Sequence, residues 1–132
     1  MYQITEDCAG CGMCRSWCPV KAIRGYKKKR HIIEPHCISC GVCGRVCGYG
    51  VILDDAGRVT SRIPIREWFK PAWDYLRCNG CGQCVSSCPV KCIQITNAGE
   101  GLEIRPFLTH PGLCIGCQFC KNACEYQAIY AL

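Results

Sequence analysis

Cysteine is the residue whose number and spacing in this chain most directly suggest chemistry. The 132-residue sequence contains 17 cysteines, far more than ordinary composition provides. Sixteen of them form four copies of the pattern C-x2-C-x2-C-x3-C. These are Cys8, Cys11, Cys14 and Cys18; Cys37, Cys40, Cys43 and Cys47; Cys78, Cys81, Cys84 and Cys88; and Cys114, Cys117, Cys120 and Cys124. Cysteines this close together rarely bridge to one another, so the pattern indicates metal binding rather than a disulfide scaffold.

The spacing within each motif favours iron and sulfur over a single metal ion. Three cysteines at i, i+3 and i+6 on a loop can hold three corners of a [4Fe–4S] cube, while the fourth, which we expect to begin a helix, points away. The last corner is therefore left to a cysteine of another motif. Zinc is the competing interpretation, but three cysteines in seven residues followed by C-P fit a zinc site poorly. We therefore expect four [4Fe–4S] clusters.

A longer repeat organises the elements that must position these motifs. The segment CPVKAI at 18–23 returns as CPVKCI at 88–93, which predicts a first module at 1–62, a connector at 63–76 and a second module at 77–132. Each module is predicted to be α+β, with a β-α-β-β-α-β order typical of ferredoxin-like folds. The predicted strands are 1–5, 23–25, 31–34, 51–53, 73–77, 93–96, 102–105 and 128–131, and helices are predicted at 14–22 and 43–49.

On these motifs, the first module resembles a bacterial, clostridial-type 2[4Fe–4S] ferredoxin over its whole length, and the second is similar. The resemblance implies that paired motifs exchange their last cysteines. The implied ligand sets are Cys8, Cys11, Cys14 and Cys47; Cys37, Cys40, Cys43 and Cys18; Cys78, Cys81, Cys84 and Cys124; and Cys114, Cys117, Cys120 and Cys88. A second four-cluster family, the electron-transfer subunits of molybdopterin oxidoreductases, pairs the first motif with the fourth. We favour tandem pairing because the irregular insertions typical of that family are missing here.

The predicted function is electron transfer rather than catalysis. Sixteen cysteines fill sixteen cluster corners, and the sequence contains no paired acid and base, triad or phosphate loop. The resemblance suggests the small subunit of an anaerobic oxidoreductase, of the tungsten or molybdenum aldehyde oxidoreductase or a related type, in a hetero-oligomer with a catalytic subunit or a soluble electron donor or acceptor. The alternatives are a freely diffusing polyferredoxin and, from another class, a structural or oxygen- and redox-sensing iron–sulfur module.

Composition and charge bear on the localisation of the protein and on its binding partners. No secretory signal precedes Cys8 and no apolar run approaches about 18 residues, so we expect a cytoplasmic protein without a membrane span. The formal net charge is +6, and residues 1–62 hold ten Lys and Arg against five Asp and Glu. The basic run Lys27–Arg30 is interpreted as a solvated turn or a patch for an acidic partner. Nucleic acid is not expected, since no recognition motif accompanies that run.

Several other residues could be functional, but each also has a simpler structural interpretation. Cys92 stands where the first module has Ala22, and we expect a small buried residue beside a cluster, with a regulatory thiol or substitute ligand as the alternatives. The histidines, His31, His36 and His110, are expected at the surface or in packing. The aromatic residues of the connector, Trp68, Phe69, Trp73 and Tyr75, are expected to pack between the modules or to form a docking surface. Gly48 and Glu125 replace the proline that follows the fourth cysteine elsewhere, and the charge of Glu125 predicts clusters of unequal potential.

Overall fold

The structure is a computed structural model that describes residues 1–97 and 104–131. The chain divides into two compact units, the first spanning Met1–Trp68 and the second beginning at Phe69. In the described part of the chain, no helix has both the length and the apolar character needed to cross a membrane.

The first unit is built from very short elements. In chain order they are β1 (Gln3–Ile4), α1 (Met13–Trp17), β2 (Ile23–Arg24), β3 (Ile32–Ile33), α2 (Val42–Val46) and β4 (Ile52–Leu53). The strands form two separate antiparallel pairs, β1 with β4 and β2 with β3. One buried isoleucine from each strand (Ile4, Ile23, Ile33 and Ile52) joins Cys14, Cys43 and Cys47 in the core. The apolar face of each pair therefore covers cysteines.

The second unit repeats this arrangement. Its elements are β5 (Pro71–Trp73), α3 (Gln83–Ser87), β6 (Ile93–Asn97), β7 (Ile104–Leu108), α4 (Phe119–Ala123) and β8 (Ile129–Ala131). Strand β5 pairs with β8 and β6 with β7, again antiparallel. Trp73 lies opposite Ile129, as Ile4 lies opposite Ile52 in the first unit. Trp73 therefore occupies the core position that Ile4 holds in the first unit.

The predicted α+β character is confirmed, but the helices are shorter than the sequence indicated. Helix α1 ends at Trp17 rather than Ala22, and α2 ends at Val46 rather than Tyr49. The prediction that the fourth cysteine begins a helix is wrong, because Cys18 follows the last residue of α1 and is extended at φ −63 and ψ 116. Proline disfavours helical backbone in the residue before it, and Pro19 follows Cys18, but Cys47 and Cys124 are extended without a following proline, so the motif itself ends the helix.

The range predicted as a connector, 63–76, contributes to both units. Trp68 is buried in the first unit, where its ring meets Trp17 edge-on at 5.1 Å and its indole N–H donates to the Ile63 carbonyl at 2.9 Å. Trp73 is a core residue of the second unit, and Phe69 packs against that core. Strand β5 lies at Pro71–Trp73 instead of the predicted 73–77. The predicted turn at 97–101 and the start of the predicted strand 102–105 fall largely outside the described residues.

Candidate iron–sulfur centres

Each motif folds as a tight loop whose shape depends on residues in the left-handed backbone conformation. The second and fourth residues after the first cysteine have positive φ in all four motifs: Gly10 and Gly12, Ser39 and Gly41, Gly80 and Gly82, and Gly116 and Gln118. Glycine adopts this conformation without the steric penalty of a Cβ atom. The loop shape is therefore the same in the four motifs, although Ser39 and Gln118 reach it with a side chain.

The left-handed turns direct backbone amides at the cysteine sulfurs. The Gly10 N–H donates to Cys8 Sγ at 3.4 Å, and the Ser39 N–H donates to Cys37 Sγ at 3.3 Å. Hydrogen bonds to a thiolate spread its negative charge and are one of the ways in which a protein sets the potential of an iron–sulfur cluster. The folded loops therefore already place N–H donors at two of the sulfurs, where they can stabilise a cluster thiolate.

A further left-handed residue lies three positions after the fourth cysteine of every motif. These residues are Lys21, Gly50, Lys91 and Gln127. In three of the motifs the next amide donates back to the sulfur: Ala22 to Cys18 at 3.1 Å, Cys92 to Cys88 at 3.4 Å and Ala128 to Cys124 at 3.4 Å. The two motifs that lack a proline after the fourth cysteine have the same backbone conformation at that cysteine. The angle ψ is 115 at Cys47 and 109 at Cys124, close to 116 at Cys18.

The fold brings two of the predicted ligand sets together around small cavities. In the first unit, one cavity is lined by the first three cysteines of the second motif together with Cys18 of the first motif. In the second unit, another is lined by the first three cysteines of the third motif together with Cys124 of the fourth. In both cases a motif meets the last cysteine of its neighbour.

The electrostatic surroundings of the buried thiols indicate a third predicted set. Burial raises the pKa of Cys14 to about 11, and the nearby cysteines that raise it further are Cys8, Cys11 and Cys47. Cys47 belongs to the second motif, so the last cysteine of that motif lies near the first three cysteines of the first motif.

In the fourth predicted set, Cys88 is related to the other three cysteines only indirectly. Burial raises the pKa of Cys120 to about 12, and Cys117 and Cys114 raise it further. Cys88, the predicted fourth member, is linked to them through Cys92, which contacts Cys88 and is also close to Cys114.

This donor set fits a [4Fe–4S] core. Burial raises the pKa of Cys43 to about 12, so a neutral thiol is favoured there until a cationic core replaces the proton, and binding of the core releases that proton. Among residues 1–97 and 104–131, no three His, Cys, Asp or Glu side chains converge as tightly as a single metal ion requires. A cubic core instead holds its four thiolates at separate corners. The cysteines are all described, and none of them forms a disulfide.

The histidines lie in ordinary structural positions. His31 is buried, and its Nδ1 is 3.0 Å from the Lys29 carbonyl oxygen. His36 and His110 are exposed, with ring nitrogens near the Lys21 carbonyl oxygen and the Thr109 hydroxyl. None of the three lines either cysteine cavity described above.

Two residues near the cysteines were not predicted as part of the site. Trp73 has a buried indole N–H that meets no hydrogen-bond acceptor in the described structure. Burial raises the pKa of Cys84 and the Trp73 side chain opposes that rise, so the indole lies near the Cys84 sulfur. Lys70 donates its ammonium group to the carbonyl oxygens of Pro111 at 2.6 Å and Cys114 at 2.8 Å. Alignment of the two repeats, which sets Trp73 against Ile4, could have identified the tryptophan.

Comparison with known proteins agrees with this geometry. Residues 1–48 and 77–129 each match a 4Fe-4S dicluster domain family. The chain is 28% identical over 98 residues to an uncharacterised ferredoxin of Methanocaldococcus jannaschii, covering 74% of this chain and 50% of that protein. It is 33% identical over 102 residues to a polyferredoxin of Methanothermus fervidus, covering 75% of this chain and 23% of that protein. It is 32% identical over 75 residues to subunit I of the NAD(P)H-quinone oxidoreductase of Gloeobacter violaceus, covering 57% and 35%. The chain thus spans half or less of the length of these relatives.

The fold and the cysteine loops define a ferredoxin-type electron carrier. The chain contains two 4Fe-4S dicluster domains in tandem, at 1–48 and 77–129. The cofactors are therefore four [4Fe–4S] clusters, and the function of the chain is electron transfer through them.

Proposed function

We propose that each unit is one β-α-β-β-α-β ferredoxin module in which two motifs exchange their last cysteines, and that the chain is the electron-transfer subunit of a larger oxidoreductase. The proposed ligand sets are Cys8, Cys11, Cys14 and Cys47; Cys37, Cys40, Cys43 and Cys18; Cys78, Cys81, Cys84 and Cys124; and Cys114, Cys117, Cys120 and Cys88. The observation that carries the ligation is the meeting of Cys18 with the second motif and of Cys124 with the third.

The exchange of ligands explains how the clusters act together. Crossed cysteines hold the two loops of a module against each other, so neighbouring clusters stay close enough for electrons to pass between them. Cys11 and Cys81, by contrast, are exposed. The edges of clusters one and three therefore face solvent, where a partner can deliver or collect an electron. Every corner is filled by cysteine in this arrangement, so the module conducts electrons and leaves the chemistry to another subunit.

Pairs of alanine substitutions test the ligation directly through iron content. Cys18→Ala and Cys40→Ala should each remove the same cluster, so the double variant should lose no more iron than either single variant. Cys18→Ala combined with Cys11→Ala should lose two clusters. Additive loss in the first pair, with no further loss in the second, would mean that each motif holds its own cluster.

Membership of a complex is supported by the relatives and by the uneven charge. One relative is named as subunit I of a quinone oxidoreductase, and the basic residues are concentrated in the first unit. The native size of the chain in an anaerobic extract tests this part of the proposal. Elution with a larger redox enzyme supports it, whereas elution at the size of the isolated chain supports the freely diffusing polyferredoxin. The tungsten or molybdenum aldehyde oxidoreductase type stays a prediction of the sequence.

Reversible reduction of the clusters separates electron transfer from a structural or sensing role. Anaerobic titration should show that all four clusters accept and release one electron. Clusters that cannot be reduced would favour the structural alternative.

A further inference from the structure

Cys11, the exposed cysteine of the first cluster loop, is one of the residues that line a basic groove. The groove has a volume of about 770 Å³, and its lining includes Cys11, Arg15, Lys21, Arg24, Lys27 and one acidic residue, Glu34. Arg24 lies 3.5 Å from Glu34 and keeps most of its side chain in solvent. Four basic side chains against one carboxylate leave the groove with a clear positive excess.

The basic turn beside this groove is held firmly to the cluster loop. The Lys28 N–H donates to the Gly10 carbonyl at 3.1 Å. A Cβ atom on Gly10 would collide with the Lys29 backbone, so these two backbone segments are in direct contact. Buried His31 braces the turn from below through its 3.0 Å contact with the Lys29 carbonyl oxygen. The backbone that carries these lysines is therefore held at a fixed position relative to the loop that carries Cys11.

The second unit provides an internal comparison. At the positions equivalent to Arg15, Lys21, Arg24 and Lys27, its sequence has Val85, Lys91, Gln94 and Asn97. Only one of the four charges is retained, although the cysteine motif and the exposed second cysteine are the same. The charge is thus a feature of the first unit and is not required to build a cluster loop.

The negative charge of the clusters does not cancel this difference. Residues 1–68 contain 11 Lys and Arg and 6 Asp and Glu, a balance of +5, and residues 69–132 contain 5 and 4, a balance of +1. Two oxidised clusters add about −2 each to a unit because four thiolates outweigh the charge of the core. The first unit is therefore close to neutral or slightly positive and the second is negative.

We propose that this groove is the docking surface for the acidic face of a small redox protein, which exchanges electrons with the cluster behind Cys11. Charge complementarity orients an encounter and raises its rate more than it raises affinity, as suits a contact that must form and dissociate at every transfer. One electron crosses in each encounter. A reduced flavin hydroquinone of the partner becomes the semiquinone as the cluster goes from the 2+ to the 1+ state, and no bond or proton is exchanged. The inference rests on the proposed electron-transfer function.

Stopped-flow oxidation of reduced flavodoxin, a small acidic flavoprotein, by the holo-protein tests the proposal. The groove variant combines Arg24→Gln with Lys27→Asn, the residues of the second unit. The control combines Arg58→Gln with Arg66→Gln, which changes the net charge equally at exposed positions outside the groove. The groove variant should lower the second-order rate constant about five- to tenfold at low ionic strength. The control should change it less than about twofold, and the difference should vanish at high salt as the charges are screened.

Two outcomes would overturn the proposal. One is an equal effect of the groove and control variants at every ionic strength. The other is binding of a mixed-sequence DNA duplex as tightly as flavodoxin, which would indicate a general polyanion surface. Photoreduction with a neutral deazaflavin shows whether a negative result concerns the docking groove or electron transfer by the clusters themselves. Clusters that are reduced normally by deazaflavin in all variants leave the proposed function intact, whereas clusters that are not reduced even in the unmodified protein reject it.

Discussion

The Sγ atom of Cys92 lies 3.5 Å from the Sγ atom of Cys88, and both residues are buried. Cys88 also accepts the backbone N–H of Cys92 at 3.4 Å. In the first unit, Cys18 accepts the corresponding amide of Ala22, and the alanine has no thiol to offer. The seventeenth cysteine is therefore a neighbour of a proposed ligand, as the sequence suggested, and it can supply that ligand with a second hydrogen bond. Burial raises the pKa of Cys92, which keeps its thiol proton available for donation.

Replacing Cys92 with alanine should lower the potential of the cluster that Cys88 holds while leaving the iron content unchanged. A hydrogen bond to a thiolate favours the reduced, more negative cluster, and its loss at about 1 kcal/mol corresponds to about 40 mV for one electron. Redox titration followed by electron paramagnetic resonance measures the shift. Ala22→Cys is the matched variant and should raise the potential of a cluster in the first unit. Loss of one cluster from Cys92→Ala would show instead that Cys92 is a ligand.

Replacing Trp73 with phenylalanine should lower the potential of the cluster held by Cys84. The substitution removes a buried indole N–H that meets no other acceptor and lies near that sulfur, where it can donate to a cluster thiolate. The shift expected from one hydrogen bond is again about 40 mV. Trp68→Phe is the control, since the Trp68 indole N–H donates to a backbone carbonyl rather than to a cysteine. Equal potentials in both variants would mean that the Trp73 indole does not act on the cluster.

Replacing Gln118 with glycine should slow the thermal loss of clusters. Gln118 has φ 65, whereas the equivalent position in the other motifs is Gly12, Gly41 or Gly82. Relieving a left-handed non-glycine residue is worth about 1 kcal/mol. The rate at which the visible absorbance bleaches on anaerobic heating measures the effect. Gly12→Gln is the reciprocal variant and should bleach faster, so a slower rate there would contradict this account of the loop.

Anaerobic removal of iron by a chelator should unfold both units. Each α-helix has five residues, and the strands of the first unit have two, which is too little structure to persist without the clusters. Cysteines also make up much of both hydrophobic cores. Near-ultraviolet circular dichroism and the dispersion of amide proton resonances should collapse together and return when iron and sulfide are restored. An apo-protein that keeps dispersed resonances would show that the fold does not depend on its metal.

The clusters themselves followed from the sequence alone because their signal is local. The spacing of Cys8, Cys11 and Cys14 depends on the backbone within a single loop, and the longer repeat revealed two modules without any knowledge of contacts. The alternation of short strands and helices was also readable, since each strand of the first unit places an isoleucine such as Ile4 or Ile52 in the core.

Element boundaries were less predictable, because very short helices contain little periodicity. Helix α1 begins after the left-handed Gly12 and ends before the extended Cys18, and both limits arise from the demands of the loop rather than from helix propensity. The same left-handed turns recur at Ser39 and Gln118, where residue type alone does not indicate them.

Tertiary structure decided which distant residues share a site. That Cys18 meets Cys37 and that Cys124 meets Cys78 depends on the packing of two loops far apart in sequence, and the sequence alone could only suggest this by resemblance. The proximity of Trp73 to Cys84 and the hydrogen bond from Lys28 to Gly10 are likewise products of folding. Residue type and spacing therefore determined the cofactor, whereas packing decided the polar and charged surroundings that control how each cluster exchanges electrons.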